Sequence, residues 1–575
     1  MAAETVTRRE ALGIGAALSA GFALSACSTS APRQPVATPR GATASSGSGK
    51  VFRFAQAAQI QSLDPTATTR IESHRISAQI LDPLVGADVN TGEPVPGLAS
   101  QWDISDDGLT YTFTLDKDLI FSDGSPLNAQ SISQNFDRWK TLAAAPLTQL
   151  NQAYAHLLAE TPRASGRPAP ALVSAWSAET DTRFTVTLSR HSASFLKALT
   201  QPACGIMKPD QFANNTAAVE SPIGSGAFTL KSWDGATAVL ERSENYRGTA
   251  PEIDRLEFVT IPGAEKRYYN LVEGRIDAYD QVALKDYVPL ALDGYAVQSR
   301  DPYAVAYIGI NLAHPAFDDL RVRQALACAI DRAALISAYY PQGTKAASDF
   351  IPALFQMKNP EAGEVYNYSA TKAKELLRTS TYANQSIDFY YPVNISLASL
   401  PSPEGIYSLI ATNLISAGFN LVPKPYQWTD QGSDDIPAKH PNYGLELAGF
   451  IGAYRDPTAF LGQVLAPASR APAEISMHPG GSTSTPSTGE PATDDPSKAA
   501  SSYTSIMQAI DEADSITDIS AWRDAYRKLN AQVSELLPAI PLAYPVSGVT
   551  QGARVTRYTV TATCLDVFST VDVEN

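Results

Sequence analysis

Residues 386–428 constrain the fold more than any other stretch. "SIDFYYP" (386–392) reads as a strand, Ile406–Ala417 as a helix, and "FNLVPKPYQW" (419–428) as a second strand. Gly418 ends the helix, because glycine tolerates the left-handed backbone that closes a helix. Two strands joined through a helix lie parallel, since an antiparallel pair needs only a short turn. The crossover is right-handed. Such a β-α-β unit commits the chain to an α/β architecture.

Other segments agree. "LTYTFTL" (109–115) alternates Tyr111, Phe113 and Leu115 with threonines, the pattern of a half-buried strand. Asn128 is placed to cap a helix whose Ile132, Phe136 and Trp139 share one face. "FTVTL" (184–188) is a further strand. "DDLRVRQALACAIDRAALI" (318–336) predicts one helix, capped by an Asp, with Val322, Leu326, Ala329, Ile330 and Ala333 as its buried stripe. Arg321, Arg323 and Asp331 are expected on its solvated or salt-bridged side. Trp102 and Trp233 are expected in the core, and Gly224, Gly226 and Gly274 in backbone turns. Residues 471–502, rich in Ser, Thr, Pro and Gly, read as a surface loop without a core of their own.

The amino end has a different character. "TRREALGIGAALSAGFALSACSTS" (7–30) holds an Arg pair, an uncharged run from Ala11 to Ala26, and a cysteine. The run is too short for a hydrocarbon core of about 30 Å. Its order is that of an export signal. Thr7-Arg8-Arg9 with Leu12 resembles a twin-arginine signal, although Ala11 stands where Phe is usual. The general secretory route stays open. Leu24-Ser25-Ala26-Cys27 reads as a lipobox, so residues 1–27 form a lipoprotein signal that leaves Cys27 as the lipid attachment point. Residues 28–50 lack aromatic residues and read as a flexible tether. The expected location is the outer face of the cytoplasmic membrane, held by lipid.

Composition narrows the function. The body, 51–575, exceeds one domain. A net charge of −15 argues against nucleic acid or an anionic membrane surface as partner. Beyond Cys27 only Cys204, Cys328 and Cys564 remain, with no C-x-x-C pair, and buried free thiols are expected. The six histidines form no pair at metal-ligand spacing. No G-x-S-x-G or H-E-x-x-H occurs, and the paired acids Asp106–Asp107 and Asp494–Asp495 sit in turns or loops. Neither a metal, a cofactor nor catalysis is expected.

Seven segments in order carry a family resemblance. They are "SLDP" (62–65), "PVPGLASQWDISDDGLTYTFTLDKDLIFSDGSPLNAQSI" (94–132), "SPIGSGAFTLKSW" (221–233), "ENYRGTAPEIDRLEF" (244–258), "LVEGRIDAYD" (271–280), "YIGINLAHPAFDDLRVRQALACAIDR" (307–332) and "YGLELAGFIGAYRDPTAFL" (443–461). Together they resemble the bacterial extracellular solute-binding proteins of family 5, the peptide/nickel class. The resemblance implies a two-lobed periplasmic-binding-protein fold, type II, with an extra subdomain on the first lobe and a hinge between lobes. The first lobe would comprise 51–85, 181–302 and 538–575, the subdomain 86–180, and the second lobe 303–537. The chain would cross near 303 and 538. It also implies a monomer that binds a peptide-like solute and delivers it to the permease subunits of an ABC importer.

Carried onto this chain, the family's cleft contacts fall on Thr69, Arg70 and Ile71; on Tyr279, Asp280 and Gln281; and on Phe450, Ile451, Gly452, Ala453, Tyr454, Arg455 and Asp456. Trp428 is expected as an aromatic wall, and Tyr154 as a side chain reaching in from the subdomain. Many peptide binders of the family carry an Asp three residues before the acid of the "D/E-P" pair, where it meets the peptide α-amine. Here that position is Ala453. Asp456 or Asp280 would substitute, or the ligand has no free amine: a blocked peptide, a metal chelate, haem or an oligosaccharide. A receptor without a transport role is the further alternative. For the anchor the expected outcome is direct: Cys27→Ser should move the protein from the membrane fraction to the medium, since stable anchoring needs more than one acyl chain, and a variant that still sediments with membranes would refute lipid attachment.

Overall fold

The computed structural model describes residues 49–143, 154, 157–160, 170–212, 218–357, 366–428, 436–465 and 503–574. The export signal, most of the tether and the whole 471–502 loop lie outside the described residues.

Two large sheets organise the body. In the first, seven strands run in the order Val297–Arg300, Ser547–Gln551, Ala278–Asp280, Val51–Gln56, Arg255–Thr260, Thr237–Arg242 and Phe228–Trp233. Val51–Gln56 pairs in parallel with both Arg255–Thr260 and Ala278–Asp280. In the second, six strands run Lys345–Ala346, Ala539–Tyr544, Ala304–Ile310, Leu445–Ile451, Ser386–Val393 and Asn420–Gln427. Here the β-α-β unit forms as expected: Ser386–Val393 and Asn420–Gln427 are parallel along their length, and helix Pro403–Ala417 ends at Gly418 with φ 112°. A four-stranded antiparallel sheet, Ala99–Ile104, Thr110–Leu115, Arg183–Leu188 and Val173–Thr180, makes the smaller unit. Helix Ala129–Ala143 covers it with Ile132, Phe136 and Trp139 buried, and Asn128 Oδ1 accepts from the Ser131 amide at 3.1 Å.

Two expected boundaries move. Arg183–Leu188 pairs with Thr110–Leu115 and Val173–Thr180, so the smaller unit extends past 180. Ala539–Tyr544 lies in the second sheet beside Ala304–Ile310, so the second crossing is at Pro545-Val546 and not near 538. All six residues of that strand are buried. A strand covered on both faces shows no alternation, and its sequence does not say which sheet it joins. The other passage between the two sheets is Asp301-Pro302-Tyr303.

Local details also differ from the sequence reading. The helix expected over 318–336 is two, Leu320–Ala329 and Arg332–Tyr339, because Ile330 is extended and Asp331 caps the second through the Ala334 amide. Arg323 is fully buried, donating to the carbonyls of Phe317 and Leu536, whereas Arg321 pairs with Asp319 as expected. Trp102 and Trp233 are half-buried. Gly226 serves close approach, not a turn: a Cβ there would lie 2.4 Å from the Gln79 carbonyl oxygen. Gly274, at φ 68°, does serve a turn. The three described cysteines are free and buried.

The smaller unit is tied to both lobes. Asp64 of "SLDP" accepts from Thr66 and Val219 amides and from Arg138 of the subdomain helix at 2.6 Å. Phe136 and Trp139 belong to one apolar cluster with Tyr454, Phe460 and Tyr526 of the second lobe. At the first crossing, Arg300 donates two bonds to Asp566, at 2.6 and 2.5 Å, with both side chains buried. Burial alone would raise the Asp566 carboxyl, but Arg300, Arg75 and the Tyr558 hydroxyl outweigh it and hold it below its usual range. Arg300→Met would leave that carboxylate buried and half-compensated. The expected cost is about 3–5 kcal/mol, read as a lowered urea midpoint, and a loss under about 1 kcal/mol would show the pair is not structural.

Candidate functional site

The candidate site lies where the parallel strands Val51–Gln56, Arg255–Thr260 and Ala278–Asp280 reach their carboxyl ends. Ligand crevices of open α/β sheets form there, because the loops that follow diverge. The second lobe meets this edge. The Ser396 hydroxyl donates to the Gln281 carbonyl at 3.4 Å, and Ala57 and Ala58, just past the first strand, share an apolar cluster with Ile395, Leu397 and Leu400.

The expected residues 70, 280, 281 and 428 gather at this boundary. Arg70 is the residue before helix Ile71–Ile80, and its guanidinium stands 5.2 Å from the Trp428 ring centroid, a cation–π contact between lobes. Asp280 is buried and ion-paired with Arg75, which is itself fully buried. Gln281 holds φ 57°, a left-handed conformation that costs a non-glycine residue about 1–3 kcal/mol and tends to persist at functional sites. Its carbonyl also accepts from Arg267 at 3.2 Å, and its Nε2 donates to Glu72 at 3.5 Å. Burial raises the Glu72 carboxyl, with Arg75 and Arg70 opposing. Tyr279 points to the other face of its strand, where Arg267 lies 5.8 Å from its ring centroid. Ile71 is half-buried and Thr69 is exposed.

Residues 450–456 build a separate wall. Phe450 ends the strand Leu445–Ile451 with Ile451 beside it, both half-buried, and its ring packs on Tyr307 and Phe460. Gly452 leaves room for Phe460, whose ring a Cβ would meet at 2.6 Å. Ala453 is half-buried. Tyr454 is buried, and its carbonyl accepts from Tyr303. Arg455 reaches the subdomain, donating to the Asn90 carbonyl at 3.3 Å.

Two expectations about the cleft are corrected. Tyr154 is fully buried, stacked on Trp139 with its hydroxyl donating to the Ala203 carbonyl, so it is part of the subdomain core. Asp456 is not an uncommitted acid. One oxygen accepts from the Thr458 amide and hydroxyl, and the other lies 3.6 Å from the Lys197 ammonium. The protein already supplies the cation beside it. Burial pushes its carboxyl up to about 6, with Lys197 opposing and Asp514 adding. Asp514 in turn accepts from Ser192 and from the Ser194 amide, joining the second lobe to the segment before helix Phe195–Ala198.

The sequence profile of "Bacterial extracellular solute-binding proteins, family 5 Middle" matches residues 93–471. The chain belongs to this family. Among curated relatives, Heme-binding protein A of Haemophilus influenzae is 27% identical, covering 73% of this chain and 78% of its own. The Dipeptide-binding protein of Escherichia coli is 26% identical over 67% of this chain and 72% of its own. The periplasmic binding protein DppA of Helicobacter pylori, solved with the peptide STSA, superposes with a TM-score of 0.76 at 23% identity, covering 92% of this chain and 98% of that one. The fold is therefore the two-lobed binding-protein fold of this family.

Sequence reasoning missed Gln56, Glu72, Arg75, Arg267 and Lys197. One signal was present: in "VFRFAQ" Phe52 and Phe54 face the core, so Gln56 puts an amide at the next inward position. Arg267 and Lys197 gave no signal, since their partners are 14 or more residues distant. The Asp456 environment makes a pH prediction. Unfolded, the carboxyl titrates near 3.8; folded, near 6. Its contribution therefore favours the folded state most below about pH 4 and declines as pH rises through 6. The difference between wild type and Asp456→Asn, which keeps a capping oxygen, should shift by about 2–3 kcal/mol between pH 4 and 7 in urea titrations, and parallel pH curves would refute the assignment.

Proposed function

We propose that this chain is a lipid-anchored receptor that captures a peptide-like solute between its lobes and presents it to the permease subunits of an ABC importer. It acts as a monomer on the outer face of the cytoplasmic membrane and carries out no chemistry. Family membership supports the importer role, and the dipeptide-binding relative and the peptide complex of DppA support the ligand class. The observation that carries the location is the polar boundary formed by Arg70, Asp280 and Gln281 against Ser396 and Trp428.

The mechanism follows from the crossings. Both are short and each holds a proline, and they run side by side: Arg300 pairs with Ser547 on one side and Ala306 with Ala543 on the other. Two adjacent connections let the lobes rotate about one line. Closure removes water from the polar boundary and strengthens hydrogen bonds to an enclosed ligand.

A second reading keeps the fold and takes a non-peptide ligand. Ala453 supplies no carboxylate for an amine, and one relative is a haem-binding protein. Native mass spectrometry of the protein purified from its own cells separates the two. The expected adduct is a distribution of peptide masses lost on mild activation. A single haem, chelate or sugar mass would replace the peptide reading with the second. With the released peptides added back, small-angle scattering should show a smaller radius of gyration, and unchanged dimensions despite binding would refute lobe closure.

A further inference from the structure

The carboxyl edge of the first sheet carries a row of side chains whose hydrogen-bonding atoms are buried and unpaired. On the face of Phe54, Gln56 stands beside Thr260 of the neighbouring strand. On its other side Phe54 pairs with Ala278 and Ala55 with Tyr279, so the next rung sets Gln56 beside Asp280. Adjacent strands are about 4.8 Å apart, which brings the three side chains within reach of one ligand group. Arg75 stands on the same face, its guanidinium 5.0 Å from the Phe54 ring centroid. Among the described residues, both amide atoms of Gln56, Thr260 Oγ1, Asp280 Oδ1 and Arg75 Nη1 are buried without a hydrogen-bond partner. Gln56 is fully buried. Leaving one such atom unpaired costs about 1–3 kcal/mol, so five in one row point to a group that pairs with them.

The chemistry of that group follows from the row. Its formal charges, Asp280 and Arg75, already cancel as an ion pair. Glu72, the other acid nearby, accepts from Gln281, and burial favours its neutral form. Two further buried cations nearby are turned elsewhere, Arg267 onto the Tyr279 ring on the other face of its strand and Arg70 onto Trp428, so a charged ligand group on this row would meet no counter-ion of its own. An ammonium has donors only and would leave Gln56 Nε2 and Arg75 Nη1 unpaired; a carboxylate would leave Gln56 Oε1 and Asp280 Oδ1 unpaired. An amide satisfies both sets, its carbonyl accepting from Gln56 or Arg75 and its N–H donating to Asp280 or Gln56. We infer that the row Thr260–Gln56–Asp280 is a recognition site for an uncharged amide of the ligand, closed over by the 395–400 segment of the second lobe. This deepens the peptide reading above and rests on it: the favoured solutes are peptides that place an amide, not a charged terminus, on the first lobe.

The test uses the full-length protein in detergent and a casein digest of which one half has been N-acetylated. Retained peptides are quantified by mass spectrometry. Wild type should retain acetylated peptides at least as well as their free-amine counterparts. Gln56→Leu and Thr260→Val should each lower retention about tenfold, the worth of a lost hydrogen bond to a buried partner, without lowering the urea midpoint of the unliganded protein. Gln56→Glu adds a carboxylate with no counter-ion and should turn the preference toward free-amine peptides. Equal retention by wild type, Gln56→Leu and Thr260→Val would overturn the row as a recognition site while leaving the peptide reading standing, as would a tenfold wild-type preference for free amines. If Gln56→Leu does not fold, Thr260→Val, which changes one atom and little volume, decides the same point. No retention by wild type would overturn the peptide reading and the inference together.

Discussion

Everything this protein does between its lobes depends on how the chain passes from one sheet to the other. Three residues, Asp301-Pro302-Tyr303, make one passage and two, Pro545-Val546, the other. Their flanking strands are hydrogen-bonded to each other in both sheets. Long passages would let the sheets drift; one passage would let them swivel. Two short adjacent passages leave essentially one soft degree of freedom. The Arg300–Asp566 pair fixes the first-sheet side of this line, because a buried ion pair with extra hydrogen bonds to Tyr558 and Thr561 tolerates little displacement.

The smaller sheet adds a second constraint. Its core residues Phe136 and Trp139 are continuous with Tyr454 and Phe460, and Lys197, Ser192 and Ser194 meet Asp456 and Asp514. The buried acids that look like ligand anchors on this side are thus engaged with the protein's own donors. On the first-sheet side Gln56, Thr260 and Asp280 keep polar atoms with no described hydrogen-bond partner side by side along one sheet edge, whereas the corresponding oxygen of Asp456 faces the Lys197 ammonium. An unpaired buried polar atom is unfavourable unless a ligand meets it.

Much of the fold was legible in the chain. The β-α-β unit at 386–428, the threonine-alternating strand at 110–115 and the Asn128-capped helix follow local rules of period and capping, and each formed where those rules put it. The misplacements have local causes too. One extended residue, Ile330, splits a helix whose apolar stripe runs through without a break. The uniformly apolar Ala539–Tyr544 carries no periodic label for its sheet.

By itself the sequence determined the family and the α/β class, because these depend on residue type, order and spacing. Tertiary structure alone decided which polar groups remain available. Asp456 and Asp280 each owe a buried ion pair to a distant cation: Lys197 stands 259 positions before one and Arg75 stands 205 positions before the other. Which cation answers a buried carboxylate is set by partners brought near through folding, and no local pattern encodes a contact over such separations.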